Sequence, residues 1–327
     1  MVYTNFPNGL TSFGVPLPGD FITQGNRYFV APGTGSDGNT GTSIDAPFAT
    51  LGRALEAATA NQNDIVYLLA QSNTSADTTD YQTTTLDWNK DLVHLIGCGA
   101  NPMIGQRARI AQDASATTLD NLMTVSADAC IIANIGIFQG IASSTATSSI
   151  ALTVSGERNH FINCQISGIG NSSMDDAGSR SLKVSGGENY FEKCYIGLDT
   201  VIRGTATTEV EISAGARNIF DDCIINSYTS LSTFKALTAG SPDRFVMLKN
   251  GCLLNAVQGI TSAVAPTGAI ASGSVNGSVL SFGTMVAGYA NVTTADDSKT
   301  LHLSYSGSVA GSDILKGMGI ARAVDVA

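Results

Sequence analysis

Three stretches of this chain repeat one nine-residue pattern: RNHFINCQI at residues 158–166, ENYFEKCYI at 188–196 and RNIFDDCII at 217–225. In each copy Asn, Phe, Cys and Ile occupy the second, fourth, seventh and ninth positions, and the copies lie about thirty residues apart. A period of roughly 20 to 50 residues is typical of a solenoid, a propeller or another repeat array. The spacing of these copies therefore decides the class of fold.

A strand-like piece precedes each copy. Apolar and polar residues alternate in it, as in Leu182, Lys183 and Val184, and a turn rich in Ser and Gly then interrupts the alternation. Each coil thus contains two or three short strands, which does not fit leucine-rich, ankyrin or tetratricopeptide repeats. Looser copies of the frame occur at 123–137 and 244–255, and residues 91–100 look like an earlier coil.

Coils of this kind stack at a spacing of roughly 4.8 Å, because each strand pairs with the equivalent strand of the next coil. The sequence therefore predicts an all-β fold, a parallel β-helix with columns of like side chains. We expect three apolar columns inside and a column of Asn amides that hydrogen-bond along the stack at a corner. These stacking residues are Leu152 and Leu182; Phe161, Phe191 and Phe220; Cys164, Cys194 and Cys223; and Asn159, Asn189 and Asn218.

The composition narrows the functional classes. The formal net charge is −10, whereas nucleic-acid binding depends on an excess of Lys and Arg, so we expect no nucleic-acid partner. No cationic segment followed by an apolar run opens the chain, and no stretch of about 18 apolar residues occurs in it. We therefore expect a soluble protein that folds in a reducing cytoplasm and has no membrane partner.

The six cysteines follow the repeat. They are separated by 32, 34, 30, 29 and 29 residues and form no CxxC or Cys/His ligand spacing. We interpret the last four as small apolar residues stacked inside the solenoid. Disulfides are the less favoured alternative, because they are rare in cytosolic proteins. No metal and no cofactor is predicted. The six are Cys98, Cys130, Cys164, Cys194, Cys223 and Cys252.

The sequence divides into four regions. An N-terminal arm (1–26) precedes a strand-loop-helix cap (27–60), the β-helix coils (61–255) and a Gly/Ser/Ala-rich β region (256–327) that closes the last coil or joins subunits. A cap is needed because the ends of a β-helix expose unpaired strand edges. The predicted cap helix is amphipathic, with one apolar side. That side consists of Leu51, Ala54, Leu55 and Ala58.

Two segments resemble known families. The cap, RYFVAPGTGSDGNTGTSIDAPFATLGRALEAAT at 27–59, closely resembles the opening of pectate-lyase-like right-handed β-helix proteins. This resemblance implies a right-handed coil, whereas stacking alone implies only a parallel one. The arm, YTNFPNGLTSFGVP at 3–16, resembles the leading segment of virion proteins of tailed bacteriophages.

The arm contains aromatic residues without periodicity, so it is expected to need a partner surface. The alternative is a tail that folds back on its own solenoid. In the first case, the resemblance implies that the partner is the major capsid protein. The candidate capsid-binding residues are Tyr3, Asn5, Phe6, Pro7, Leu10 and Phe13.

Catalytic motifs are weak in this sequence. Glycoside hydrolysis needs two carboxylates held roughly 5 to 9.5 Å apart, and the candidate pairs are Asp175 with Asp176 and Asp221 with Asp222. The first pair lies in a loop between coils, and the second occupies a corner slot that we expect to be solvated. The motifs of polygalacturonase-like enzymes are absent. The pectate-lyase-like arrangement would need several acidic residues near an arginine base, and only isolated ones accompany Arg180 and Arg203.

The histidines offer no catalytic context either. His94, His160 and His302 lie in three separate regions, without a triad or metal-ligand spacing. His160 is expected to occupy an outward repeat slot that Tyr190 and Ile219 fill in the next two coils. The sequence therefore predicts a protein that is not an enzyme.

The sequence favours a structural virion protein that decorates or cements the outside of a phage capsid. It would be made in the host cytoplasm, assemble as a homo-oligomer, with a trimer expected, and attach through its arm. The first alternative is a tailspike or receptor-binding protein that binds or degrades a surface polysaccharide, and the second is a cellular pectate-lyase-like enzyme. Weak glycan contacts remain open, as does head or tail location.

Overall fold

The computed structural model describes residues 25–70, 74–99, 105, 107–140, 148–261, 265–273, 277–293 and 300–303, together with the backbone of two short strands at 11–12 and 15–16. These two strands, β1 (Thr11–Ser12) and β2 (Val15–Pro16), pair antiparallel. The rest of the described chain is an all-β parallel solenoid of about 7 turns with few helices, which confirms the predicted fold class.

Three parallel sheets run the length of the described solenoid, and each takes one strand from successive coils. Sheet 1 is formed by β3 (Arg27–Val30), β4 (Ile65–Leu69), β7 (His94–Cys98), β10 (Ile131–Ala133), β13 (His160–Ile162), β16 (Tyr190–Glu192), β19 (Ala216–Asp221), β22 (Asp243–Lys249), β25 (Gly277–Phe282) and β27 (Thr300–Leu303). Sheet 2 is formed by β5 (Thr79–Gln82), β8 (Arg109–Gln112), β11 (Gly136–Phe138), β14 (Gln165–Ser167), β17 (Tyr195–Arg203), β20 (Ile224–Thr229), β23 (Leu253–Ala256) and β26 (Met285–Ala287). Sheet 3 is formed by β6 (Leu86–Trp88), β9 (Asn121–Val125), β12 (Ile150–Val154), β15 (Arg180–Val184), β18 (Thr208–Ile212), β21 (Lys235–Ala239) and β24 (Ile270–Ser272). The helices are α1 (Leu51–Ala57), α2 (Ser75–Thr78), a 3-10 helix at Ser172–Met174 and α3 (Val257–Thr261).

Each central coil passes from sheet 3 to sheet 1 through a Ser-Gly-rich turn, then to sheet 2 around a tight corner. The tight corner has a left-handed backbone, with φ near +50 to +60°. Asn and Asp tolerate this conformation because their short polar side chains bond locally, whereas Lys193 adopts it at some cost. The corner residues are Asn134, Asn163, Lys193, Asp222 and Asn250.

The apolar columns lie inside the solenoid as the repeat predicted. Leu152 is opposite Leu182 in the ladder between β12 and β15, and both are fully buried. The rings of Phe161, Phe191 and Phe220 stack with centroids 4.8 Å apart and planes 8° from parallel. Offset stacking of aromatic rings stabilises the fold beyond the effect of the apolar area that each ring buries. The repeated sequence motif thus makes the same packing contact in each of these coils.

The cysteine column is also internal. Cys164, Cys194 and Cys223 are fully buried, and their thiols are free. Each Sγ donates to the carbonyl oxygen of a residue in the preceding coil, as Cys194 does to Phe161 at 3.5 Å. Cys98, by contrast, is exposed at the end of β7.

The Asn column occupies the predicted corner, but its hydrogen bonds differ from the predicted amide ladder. The Asn189 Nδ2 donates to the Gly156 carbonyl oxygen at 3.0 Å, and its Oδ1 accepts from the Asn159 backbone N–H at 3.0 Å. Asn159 and Asn218 make the equivalent bonds to their preceding coils. The side chain bonds to backbone because the turn leaves one donor and one acceptor of the coil below without a strand partner. An amide-to-amide bond occurs at the tight corner instead, from Asn163 to Asn134 at 2.9 Å.

The predicted cap forms at the edge of sheet 1. The α1 helix buries Leu51, Ala54 and Leu55 against the first coils. The Thr50 side chain caps its N-terminus by accepting from the Arg53 N–H at 3.2 Å. The carboxylate of Asp37, in the Gly-rich loop, accepts from the backbone N–H groups of residues 49 and 50. The loop is thereby tied to the start of the helix.

The solenoid continues past the predicted boundary at residue 255. Strands β24, β25 and β26 pair in parallel with β21, β22 and β23, so one more coil follows with the same three-sheet arrangement. This coil lacks the Asn/Phe/Cys frame, but Ile270 and Val279 are fully buried and continue the apolar interior. Inward position alone, and not the full motif, is needed for stacking. The strand predicted in KTLHLSYSGSV is β27.

Candidate functional site

The first candidate carboxylate pair is part of the loop structure. The two carboxylate oxygens of Asp175 accept hydrogen bonds from the backbone N–H groups of Gly204, Thr205 and Ala206 at 2.6, 2.9 and 2.9 Å. These three backbone donors satisfy both oxygens of the carboxylate. Asp175 therefore fastens the loop after β17 to the loop before β15, and this use competes with a role as nucleophile or base.

The second candidate pair separates at a corner. Asp221 lies on the outer face of sheet 1, where its carboxylate accepts from Tyr190 Oη, from Asn250 Nδ2 at 2.8 Å and from Lys249 Nζ at 3.0 Å. Desolvation opposes ionisation, but these three donors outweigh it and hold the pKa of Asp221 below its ordinary value. Asp222 is exposed in the left-handed corner. The corner is solvated at Asp222 as expected, and Asp221 is a bridge between coils.

The two candidate arginines are bound in ion pairs. Arg203 is fully buried and pairs with the equally buried Glu209, with Nε···Oε2 and Nη2···Oε1 distances of 3.2 and 3.1 Å. Its Nη1 donates to the carbonyls of Ile169 and Val201, and the Ser181 hydroxyl donates to Glu209. Every charged atom of the pair thus has a partner, as burial requires. Arg203 is therefore enclosed within the protein.

Arg180 lies on the outer face of sheet 3 and pairs with Glu211 on β18, the neighbouring strand in the next coil. A second ladder of charges follows the turn between sheets 3 and 1, where Glu188 bridges Arg158 and Arg217. These pairs link successive coils along the surface. Exposed pairs of this kind contribute little stability one by one.

The histidines take structural positions where their side chains are described. His94 is buried between Asn63 Oδ1, at 3.2 Å from its Nε2, and the Ile131 N–H, at 3.0 Å from its Nδ1. Burial lowers the pKa of His94, which favours the neutral ring. His160 faces Tyr190 in the predicted repeat slot and contacts Glu192. Only the backbone of His302 is described, within β27.

Neither a metal-ion cluster nor a membrane-spanning helix is found in the described residues. No three His, Cys, Asp or Glu side chains of that part of the chain approach closely enough to hold a metal ion. None of its helices is both long and apolar enough to cross a membrane.

Asp80 is a buried carboxyl that sequence reasoning missed. It accepts from the Leu51 N–H at 3.1 Å and from Gln82 Nε2 at 2.7 Å, both at Oδ2, beneath the first turn of α1. Desolvation raises its pKa to about 7, although these hydrogen bonds oppose the rise. Only tertiary structure brings β5 under α1, so no local pattern could have identified it.

A surface groove lies on the outer face of sheet 2, in its first coils. It has a volume of about 250 Å³. Tyr81 on β5 and Phe138 on β11 flank Ala111 on β8, which is opposite both in the two ladders. The residues that line it are Thr79, Tyr81, Arg109, Ala111, Gln112, Phe138 and Gly140. We call this set the sheet 2 groove.

The sheet 2 groove was also missed by the sequence analysis. Its lining residues come from three coils that share no repeated motif, so nothing in the linear pattern connects them. The candidate capsid-binding residues of the arm, Tyr3 to Phe13, lie outside the residues whose side chains are described.

The fold is similar to that of solved carbohydrate-acting enzymes. A pectin methylesterase from Aspergillus niger, in deglycosylated form, matches with a TM-score of 0.53 and 19% identity, over 89% of this chain and 88% of that one. A pectin methylesterase mutant in complex with hexasaccharide IV matches with a TM-score of 0.53 and 16% identity, over 89% and 91%. No protein-family profile and no curated protein sequence matches the chain.

These similarities confirm the pectate-lyase-like right-handed parallel β-helix that the cap sequence implied. At 16 to 19% identity they show the fold alone. The fold is thus one used by pectin-acting enzymes, and function has to be argued from this chain's own residues.

Proposed function

We propose that the protein is a structural component of a phage virion that decorates or cements the outside of the capsid. Its N-terminal arm binds the major capsid protein, and the solenoid performs no catalysis. The protein stands on the shell as a homotrimer, so that three arms engage together and convert weak contacts into firm attachment. The net charge of −10 suits an exterior protein, because it disfavours contact with packaged DNA and self-association.

One observation carries this proposal. One carboxylate of each candidate pair and both candidate arginines bond within or between coils: Asp175 to a backbone nest, Asp221 to Tyr190, Arg203 to Glu209 and Arg180 to Glu211. Polar side chains used in this way stiffen a scaffold. A glycoside hydrolase instead needs at least one such carboxylate pair placed at its substrate.

Quantitative mass spectrometry of purified virions tests the role. The ratio of this chain to the major shell protein is expected to be comparable with one. A handful of copies per particle would place the protein on a tail and contradict decoration.

The second candidate is a receptor-binding or tailspike protein that binds or degrades a surface polysaccharide. It is favoured by the similar solved structures, which are pectin methylesterases and include one in complex with a hexasaccharide. Two assays on methylated and demethylated pectin separate it from the first: methanol release for esterase activity, and ultraviolet absorbance of unsaturated products for lyase activity. We expect both to stay at the level of a heat-denatured control, and sustained release of either product would favour the second candidate.

A further inference from the structure

The outer face of sheet 1 is largely apolar, although it points away from the core. Along each strand, inward residues such as Phe161 alternate with outward ones, and the outward side chains of successive strands lie opposite one another. Near the cap, the rings of Phe29 and Tyr67 stack with centroids 5.4 Å apart. We call these outward side chains the sheet 1 face. Its large apolar members are Phe29, Tyr67, Ile162, Ile219, Met247 and Leu280.

Sheet 3 gives the comparison within the same molecule. Its central outward row is polar or charged on six successive strands, as a solvated sheet face is expected to be. That row consists of Asp87, Thr124, Thr153, Lys183, Glu211 and Thr238. A parallel sheet with two apolar faces is normally covered on both. The sheet 1 face therefore has the composition of a covered surface.

The described helices lie elsewhere. The α1 helix belongs to the internal apolar cluster, together with the inward residues Tyr28 and Val66 of sheet 1. The α2 helix lies against Gly33 of the cap loop, through Asp77. The 3-10 helix contacts β17, and α3 contacts β20 and β26, all of which belong to sheet 2. No described helix therefore covers the sheet 1 face.

The face is large enough for a stable contact between proteins. It extends over nine strands from β3 to β25, which is about 38 Å at the spacing of parallel strands. Between the corners at Glu188 and Lys193 it is six residues wide, or about 20 Å. The resulting footprint of about 760 Å² is close to the roughly 800 Å² that each partner buries in a standard protein–protein interface.

The two rims of the face carry opposite charges at the same heights. Glu188 and Arg217 lie in successive coils on the rim next to sheet 3, and Lys193 and Asp222 lie in the same two coils on the rim next to sheet 2. All four are at least partly exposed. A copy generated by rotation about an axis parallel to the stack brings one rim against the other at unchanged height. Glu188 then faces Lys193 and Arg217 faces Asp222, so the charges are complementary.

The charged groups at the centre of the face are already paired. The Asp221 carboxylate bonds to Tyr190 Oη and to Lys249 Nζ, and Glu192 contacts His160 at 3.2 Å. Burial of a charge is most costly when the charge has no partner. Contact with a second copy therefore buries the apolar side chains without leaving these groups unpaired.

We propose that the sheet 1 face is the surface through which copies of this chain associate, side by side and with parallel solenoid axes. Ile162, Ile219 and Met247 pack against the neighbouring copy, and Glu188 pairs with Lys193 of that copy. This inference rests on the homo-oligomer of the proposed function and names the surface that forms it.

Sedimentation velocity on the full-length protein tests the surface. We expect the unmodified chain to sediment as an oligomer. Ile219→Lys places a charge at the centre of the contact and is expected to weaken association about thirtyfold or more. Thr238→Lys is the matched control, because Thr238 lies in the outward row of sheet 3, and it is expected to associate as the unmodified chain does. Melting curves check that both variants fold.

Cysteine cross-linking tests how the copies are arranged. In a Cys98→Ser background, which removes the exposed thiol, Glu188→Cys combined with Lys193→Cys is expected to give a covalent oligomer on oxidation with diamide. The two positions are about 20 Å apart within one chain, whereas a disulfide needs Cα atoms roughly 4.4 to 6.8 Å apart, so only neighbouring copies can be joined. Each single cysteine variant is the control and is expected to stay unlinked on a denaturing gel.

The outcomes separate this inference from the proposed function. An oligomer that Ile219→Lys leaves intact overturns the sheet 1 face, while the homo-oligomer itself stands. A monomeric full chain overturns both, and association that begins once residues 1–20 are deleted would identify the arm as the occupant of the face. Cross-linking of a single cysteine variant as efficient as that of the double variant overturns the parallel arrangement. All of these measurements use the isolated protein and leave the virion copy number untouched.

Discussion

Cys194 shows what a single position in the stack requires. Its thiol is fully buried between the equivalent cysteines of the neighbouring coils, and burial raises its pKa well above the ordinary value. The neutral thiol is therefore the stable form, and it packs as a small apolar group. A charged group at this position would have no partner among the apolar columns.

Cys194→Asp is expected to destabilise the protein by several kcal/mol, because an unpaired carboxyl is moved out of water. Cys98→Asp is the matched control, since Cys98 is exposed on sheet 1 and its replacement is expected to change stability little. Thermal unfolding of both variants at pH 7 measures the difference. Equal melting temperatures would mean that position 194 can reach solvent.

Asp80 makes stability depend on pH. Its pKa rises to about 7 in the folded protein, against 3.8 for the ordinary carboxyl, so the folded state binds this proton more tightly than the unfolded state. The stability that the neutral form contributes is therefore present below about pH 4 and is lost as the pH rises through 7. The effect is on the order of 1 to 4 kcal/mol, since one pKa unit corresponds to about 1.4 kcal/mol.

Asp80→Asn keeps an acceptor for the Leu51 N–H but cannot ionise. We expect the variant to be more stable than the unmodified protein at pH 8 and of similar stability at pH 4. Denaturant unfolding at the two pH values measures the difference. A variant with the same loss of stability between pH 4 and 8 as the unmodified protein would assign that loss to other groups.

At the scale of elements, the loop between β17 and β18 is held by a buried ion pair. Arg203→Met leaves Glu209 charged or forces it to take up a proton, and we expect a loss of about 3 to 5 kcal/mol. The double variant Arg203→Met, Glu209→Met removes both charges and is expected to recover most of that loss. Unfolding free energies of the single and double variants give the comparison. A double variant as unstable as the single one would show that packing volume, and not charge, dominates the loop.

The elements that sequence could predict are those whose contacts repeat. The coils from residue 152 to 225 were predictable because Phe161, Phe191 and Phe220 each stack on the next, so that one contact imposes one spacing. The last coil was placed in a separate region, because Ile270 and Val279 keep only the inward position and not the motif. The α1 helix was predictable from its own apolar face.

The candidate sites were less predictable because they combine residues from non-repeated positions. The Asp175 nest joins two loops that are about thirty residues apart, and the sheet 2 groove joins three coils through Tyr81, Ala111 and Phe138. Outward positions in a solenoid vary more from coil to coil than inward ones, because they need not fit into the packed interior. The periodicity of the sequence therefore predicts which side chains lie inside the solenoid, but it does not predict which groups lie together on its surface.

At the scale of the whole molecule, attachment and folding are expected to be separable. Deletion of residues 1–20 leaves the cap from residue 27 onward and the coils complete. We expect the truncated protein to melt as the full chain does and to lose attachment to particles that lack the endogenous protein. Co-sedimentation with those particles measures attachment, and the full chain is the control. Unchanged co-sedimentation of the truncated protein would contradict an anchoring role for the arm.

The tight stacking of one coil on the next has a consequence for how such a molecule changes over evolutionary time. Each coil occupies roughly 4.8 Å of the axis and is encoded by a contiguous segment of about thirty codons. Duplication or loss of one segment would lengthen or shorten the solenoid by one coil and leave both of its ends unchanged. The number of coils therefore sets the distance that the solenoid projects from its point of attachment.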